Sequence, residues 1–299
     1  MKIVITGSLG HIGRTLTNIL VTHGHEVIVV SSKDARRSEI ENSGAKAAIG
    51  SVTDSAFLAE LFRNADAVYT MVPPPADFHD PNFDMLSYAD TVRNSYFKAL
   101  SGSGAKHLVN LSSWGAHRSE GIGGIAASYH TEQLLNSLKS EMTITHIRPT
   151  SFYYNFFAFI PMIKHKGDIE LNYGGEDIVS VVAPADIAVA VAEELETART
   201  GIQVRYVTSD ELSCNEIASI LGNAIGQPDL QWIRILDEAS KANLLAAGLS
   251  PAMATNVADI QGAIHKGYLA EDYKNHKPAF GKVKTADFAK EFAIVFNRK

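Results

Sequence analysis

The sequence predicts an α/β protein, a doubly wound parallel sheet followed by a smaller α/β C-terminal lobe, and three observations predict it. Apolar strand-like segments alternate with amphipathic helical ones as far as about residue 150. Those strand segments are apolar nearly throughout rather than at every second position, as expected for strands covered on both faces. A three-glycine turn, Gly7-Ser-Leu-Gly10-His-Ile-Gly13, joins the first strand directly to the first helix. With 299 residues, the chain accommodates a sheet domain over 1–150 and a second lobe over 151–299, from which residues of about 179–209 are expected to return to the sheet.

The elements follow in order. Residues 2–6, Lys-Ile-Val-Ile-Thr, form the first strand, and Ile12, Leu16, Ile19 and Leu20 stripe a helix over 12–22. Strands follow at 25–30 and 45–49, a helix at 55–64 and a strand at 66–72. The last of these runs into Met71-Val72-Pro73-Pro74-Pro75, whose prolines would stiffen one wall of a site or serve structure alone. Met85, Tyr88, Ala89, Val92, Tyr96 and Leu100 share one face of a helix at 84–100, and strands at 106–112 and 142–147 flank a helix at 129–139. Right-handed crossovers wind these into one sheet. Beyond Arg148-Pro149 the rhythm changes: 150–181 is aromatic and glycine-containing, a helix follows at 185–197, a strand at 203–208, and then a mostly helical remainder with short strands such as 230–235.

The glycine turn has the residue types an anion needs. Gly7 permits a tight turn, Gly10 lets the backbone approach phosphates without a Cβ, and Gly13 lets the helix pack close to its strand. Backbone N–H groups of Leu9, Gly10, His11 and Ile12 at a helix N-terminus would then hold a pyrophosphate; an ordinary tight turn is the alternative. Past the second strand, Ser31-Ser32-Lys33-Asp34-Ala-Arg36-Arg37 stands where an NAD site would present an acidic residue to the ribose. Hydroxyls and cations there suit a 2′-phosphate, so NADP is expected, with NAD possible. Ser32 and Lys33 lie nearest the strand, and Asp34 argues the other way.

Bulk properties narrow the partners. A formal charge of −6 offers no general attraction to nucleic acid or to an anionic membrane, so a small-molecule substrate is expected. Cys214 is the only cysteine, which excludes an internal disulfide and suits the reducing cytoplasm; it reads as a buried apolar residue. The first residues are too short an apolar run for a signal peptide, and no long uncharged stretch spans a bilayer. Asp77-Phe-His79-Asp80 and His23-Gly-His25 lack a complementary ligand cluster at recognised spacing, and no metal is expected.

With Gly7-x-x-Gly10-x-x-Gly13, with Leu111-Ser112-Ser113 closing the fifth strand and with Tyr129 sixteen residues after Ser113, the chain resembles the short-chain dehydrogenase/reductase superfamily. Within it, the sequence resembles the atypical NmrA-like branch. Thr145-His-Ile-Arg-Pro149 followed by Phe152-Tyr-Tyr-Asn155, then Pro184-Ala-Asp186-Ile-Ala, and Ser209-Asp-Glu211 leading into Glu216-Ile-Ala-Ser-Ile-Leu extend the resemblance over most of the chain. It implies a Rossmann fold and an NAD(P)(H) cofactor. The superfamily's Tyr-x-x-x-Lys, in which lysine activates tyrosine and binds the nicotinamide ribose, reads Tyr129-His-Thr-Glu-Gln133 here. An amide hydrogen-bonds a hydroxyl but supplies no charge to a phenolate, so Tyr129 near its free pKa of about 10 would be a poor base and a serviceable proton donor. A packing role for Tyr129 stands beside that reading. Ser113 would bind a substrate carbonyl or cap a turn, and 114–128, with four glycines, would be a flap or a plain surface loop.

On the substrate side, Phe152–Phe159 places six aromatics in eight positions. Trp114, Tyr153, Asn155 and Phe156 would form a wall for a flat apolar substrate, with core packing as the alternative; Asn155 stands out because a polar residue inside an aromatic run needs a hydrogen-bonding partner. His117 and His130 flank the same region. The whole predicts an NADP(H)-dependent reductase of a quinone or other flat carbonyl compound. The alternative implied by the NmrA-like resemblance is a catalytically idle NADP(H) sensor acting on a protein partner, and sugar-nucleotide epimerisation, which needs tyrosine as a base, fits less well.

Overall fold

A computed structural model describes residues 1–73, 84–197 and 199–298. The N-terminal half alternates β1 (Lys2–Ile5), α1 (Gly13–Thr22), β2 (Glu26–Ser31), α2 (Arg37–Asn42), β3 (Lys46–Ile49), α3 (Ser55–Phe62), β4 (Ala67–Thr70), α4 (Met85–Leu100), β5 (His107–Leu111), α5 (Ala126–Asn136) and β6 (Thr143–Pro149). Asp54 and Asp84 start α3 and α4 by accepting the free amides of the first turn, Ala56 and Phe57 in one, Leu86 and Ser87 in the other.

A seven-stranded sheet runs β10-β6-β5-β4-β1-β2-β3, with β10 at Ile202–Val207. The pairings from β3 to β6 are parallel. β10 keeps the same sense, because the amides of Ile144 and Thr150 bond the carbonyls of Gly201 and Val207 in step. The doubly wound parallel sheet predicted from the sequence is therefore present. Its strand order reverses between β1 and β4, and the carboxyl ends of such a pair are where open α/β sheets bind ligands. The core on one face joins Val4, Val68 and Leu108 to Phe62, Val92, Tyr96 and Leu135, all buried.

The chain divides into two compact units. The first holds residues 1–113, 127–148 and 187–205, the second residues 114–126, 149–186 and 206–299. In the second, β7 (Ser151–Phe152) and β11 (Asp210–Ser213) flank β9 (Ile178–Val182), and β8 (Ile169–Leu171) pairs in parallel with β12 (Trp232–Arg234). The other helices are α6 (Ile160–Lys166), α7 (Pro184–Glu196), α8 (Cys214–Ile225), α9 (Asp237–Ala246), α10 (Pro251–His265) and α11 (Thr285–Phe296). Cys214 is buried as expected, and burial pushes its thiol pKa up.

Besides β7, α6, β8 and β9, which lie where the sequence reading named no element, two elements differ from it. α2 was not foreseen, because its six residues bury only Ile40 and leave no apolar period to read. α5 spans 126–136 rather than 129–139: a 3₁₀ turn at Gly123–Ile125 leads into it early, and it stops at Asn136. Among the described residues no helix is long and apolar enough to cross a membrane.

Candidate functional site

β1 ends where Thr6 donates its amide to the Tyr69 carbonyl, at 3.1 Å, and the chain turns outward. Gly7 has φ +90°, and a Cβ there would lie 2.3 Å from the Met71 sulfur. Gly13 has a different duty from the one expected: its missing Cβ would fall 2.0 Å from the Ser8 carbonyl oxygen, so it makes room for the loop's own backbone rather than for a strand. Gly10 is exposed, and its Cβ would meet only the Gly7 carbonyl oxygen, at 3.3 Å. Leu9 and Ile12 are buried beneath the loop, while His11 is exposed. Ile12 caps α1 without a side-chain bond, and no acidic residue enters the first turn, so the amides and the positive helix end are left to an anion. These features fit a pyrophosphate.

The end of β2 completes one side. Buried Ser31 accepts the Lys33 amide at 3.2 Å and so fixes the turn that carries exposed Ser32 and Lys33. Arg36 donates to the Leu9 carbonyl at 3.0 Å, tying this turn to the glycine loop. Asp34, the residue that argued against a phosphate, pairs with Arg37 at 2.9 Å. Lys33 has no ion-pair partner among the described residues. Glu39, unremarked in the sequence, bonds Arg14 at 2.6 Å and lies 3.6 Å from Arg36; the Arg14 hydrogen bond holds its carboxyl below the usual range. Across the loop, Met71, Val72 and Pro73 are half-buried, and Tyr96 donates to the Met71 carbonyl at 2.7 Å. Pro74, Pro75, Asp77, His79 and Asp80 lie outside the described residues.

At the end of β5, Ser113 and Tyr129 are half-buried and Gln133 is exposed. The rotation of α5 is set by Glu132, which the sequence reading passed over. It is 2% exposed and takes a forked bond from Arg148 at 2.9 and 2.6 Å, plus the hydroxyl of Ser112 at 2.5 Å. Glu132 follows Tyr129 by three residues and precedes Gln133 by one, so anchoring it fixes where both project. A second buried chain runs beside it. Thr70 donates to Asn110 (3.1 Å), the Asn110 amide to His146 Nδ1 (3.2 Å), and His146 Nε2 to Asn136 (2.9 Å). That pattern is the neutral imidazole, and burial holds the His146 pKa below its usual 6.5.

In the second unit, Trp114 is buried with Ile122, Tyr206, Leu269 and Tyr273. Tyr153 stacks on Phe288 at 5.1 Å, and Phe156 meets Trp232 edge-on at 5.9 Å, both within this unit's core. Asn155 is exposed, contrary to the expectation that its polarity demands an internal partner.

A sequence model of an NAD(P)H-binding family matches residues 7–198. No curated protein sequence matches the chain. Among solved structures, an NADPH-dependent quinone oxidoreductase from Escherichia coli, complexed with NADPH, superimposes with a TM-score of 0.78 at 20% identity, covering 99% of this chain and 100% of that one. A Citrobacter sp. triphenylmethane reductase complexed with NADP(H) gives 0.76 at 20% identity, covering 97% and 99%. A nucleoside-diphosphate-sugar epimerase from Staphylococcus aureus gives 0.78 at 15% identity, covering 97% and 100%. At such identities the likeness is one of fold.

Proposed function

Since this chain belongs to the NAD(P)H-binding family, we propose that it is an NADPH-dependent reductase of quinones or other flat carbonyl compounds. The observation that supports the reading is the buried Arg148–Glu132 ion pair, which anchors α5, the helix that carries Tyr129 and the uncharged Gln133. Gly7, Gly10 and the first amides of α1 hold the pyrophosphate, and Ser32, Lys33 and Arg36 hold the 2′-phosphate. Bound there, the reduced nicotinamide supplies a hydride.

The protein's own contribution is to bind, orient and protonate. Gln133 donates its amide to the nicotinamide ribose without adding charge. Ser113 donates a hydrogen bond to the substrate oxygen, and Tyr129 gives up its proton there as negative charge develops. Gln133, standing where the superfamily has lysine, brings no charge that would stabilise a phenolate, which favours reduction over alcohol oxidation. A quinone suits this machinery best, because its reduced oxygens take protons from water. The named activities of the quinone oxidoreductase and the triphenylmethane reductase lend support.

A screen of NADPH oxidation with quinones and aromatic carbonyls tests the proposal. Steady turnover is expected, and Tyr129→Phe should lower carbonyl reduction by about 10²–10⁴-fold while barely touching quinone reduction. Tight NADPH binding with no oxidation by any acceptor would replace the enzyme with a sensor.

A further inference from the structure

His23-Gly24-His25 has no ligand partner nearby in sequence, but the fold brings Glu196 to it. His23 Nδ1 lies 2.7 Å and His25 Nε2 2.8 Å from the same Glu196 oxygen, and the three ligand atoms lie within 4.8 Å of one another. All three residues belong to the first unit. We propose that His23, His25 and Glu196 bind a divalent transition-metal ion of the zinc class.

The backbone that presents the histidines is fixed. Gly24 stands at φ +81° and donates to the Val21 carbonyl at 2.9 Å, while His25 donates to the Leu20 carbonyl at 3.1 Å. This pair of bonds is the Schellman closure of α1, with His23 at its C-cap and His25 two residues on. Gly24 has nothing within 4 Å of where a Cβ would point, so its role is the left-handed turn that brings both imidazoles to one side.

The helix ends favour a cation at this place, although the Met1 ammonium lies 3.5 Å from His25 Nδ1, the ring nitrogen turned away from Glu196. His23 caps the C-terminal end of α1, and Glu196 is the last residue of α7, so the negative ends of two helix dipoles meet there. Neither helix has a basic residue in its last turn. Of the carboxylates ending α7, Glu193 pairs with Arg205, and Glu194 with Arg199 and Arg205. Among the described residues Glu196 is paired only with the imidazoles, which in their neutral form give hydrogen bonds but no charge.

Two imidazoles and one carboxylate suit Zn²⁺ or Co²⁺ better than Mg²⁺ or Ca²⁺, which prefer oxygen-only ligand sets. In a tetrahedral site with bonds of about 2.0–2.1 Å, ligand atoms stand about 3.3–3.5 Å apart, so the hydrogen-bonded pairs need to open by about half an ångström as the ion replaces the shared protons. Side-chain torsions at this partly exposed edge supply that movement; the His23 side chain is 51% exposed. Water takes the fourth position. The ion would then clasp the first helix–strand turn to a residue 171 positions further on.

The test uses the full chain stripped with chelator and then titrated with Zn²⁺ by calorimetry, with Co²⁺ absorption as a report on ligand number. One Zn²⁺ per chain is expected, raising the melting temperature, with the intense visible bands of four-coordinate Co²⁺. His23→Ala and Glu196→Gln should each weaken Zn²⁺ by at least about tenfold, with unchanged circular dichroism, while exposed His165→Ala should bind as wild type does. Absence of Zn²⁺ binding, or binding unaltered in both His23→Ala and Glu196→Gln, overturns the site and leaves a hydrogen-bonded cluster only.

Discussion

Two corners of the first unit are built by opposite means. The cradle around Gly7, Gly10 and Gly13 is made by neighbours in sequence: one turn leaves β1, its glycines clear space for backbone and for Met71, and α1 begins without a capping side chain. The corner around Ser113, Tyr129 and Gln133 depends on partners brought from afar. Glu132 on α5, Arg148 at the end of β6 and Ser112 after β5 meet in a buried cluster that turns α5 to its working angle. The cradle uses backbone geometry, which tolerates many side chains. The other corner uses one ion pair, which tolerates almost none.

The contrast breaks most visibly at Gly10. Gly10→Val should abolish dinucleotide binding by filling the cradle, yet leave circular dichroism and melting unchanged, since Gly10 is exposed and a Cβ there meets only one carbonyl oxygen. Retained binding in calorimetry would place the cofactor elsewhere. At the other corner the damage should fall on the fold. Glu132→Gln removes the carboxylate facing buried Arg148 and should cost about 3–5 kcal/mol in denaturant melts, whereas replacing both residues by apolar ones of similar volume should recover much of that. Equal stability of Glu132→Gln and wild type would refute the anchoring role.

Lys33→Ala sharpens the picture of the cradle. Losing one charge-assisted phosphate contact should weaken NADPH by about 1.5–3 kcal/mol and leave NADH nearly unaffected in fluorescence titrations. The smallest expected effect is acid sensitivity. His146 is held neutral by burial, so its folded pKa lies below the unfolded value of 6.5. As pH falls below about 6.5 the unfolded chain takes up a proton that the folded chain refuses. Its contribution to stability is therefore whole at pH 7 and declines towards pH 5. Melting curves of His146→Gln should show a shallower decline; a parallel one would assign the sensitivity to other groups.

Legibility followed the same division. The sheet, the glycine turn and the basic turn after β2 were readable because each signal lies within a few residues. α2 was not, having a single buried apolar residue, Ile40. Glu132 and Arg148 were visible as letters, but their pairing depends on β6 running beside β5, which no local pattern encodes. The Glu39 pairing with Arg14 and the Tyr96 bond to Met71 escaped for the same reason. The aromatic run misled in the opposite way: rings that suit a substrate wall serve equally as core, and Tyr153 and Phe156 are core in the second unit.

The seventh strand has a consequence for how the protein is made. β10 joins the sheet beside β6 only after the chain has passed through residues 149–186, which belong to the other unit. On the ribosome, the outer edge of β6 must therefore stay open while the next stretch of about sixty residues is synthesised, a wait of about 3–12 s at 5–20 residues per second. An open strand edge is a template for pairing with other chains. The nascent protein is thus most vulnerable to aggregation in that interval, and a fragment ending near residue 150 would hold it there permanently.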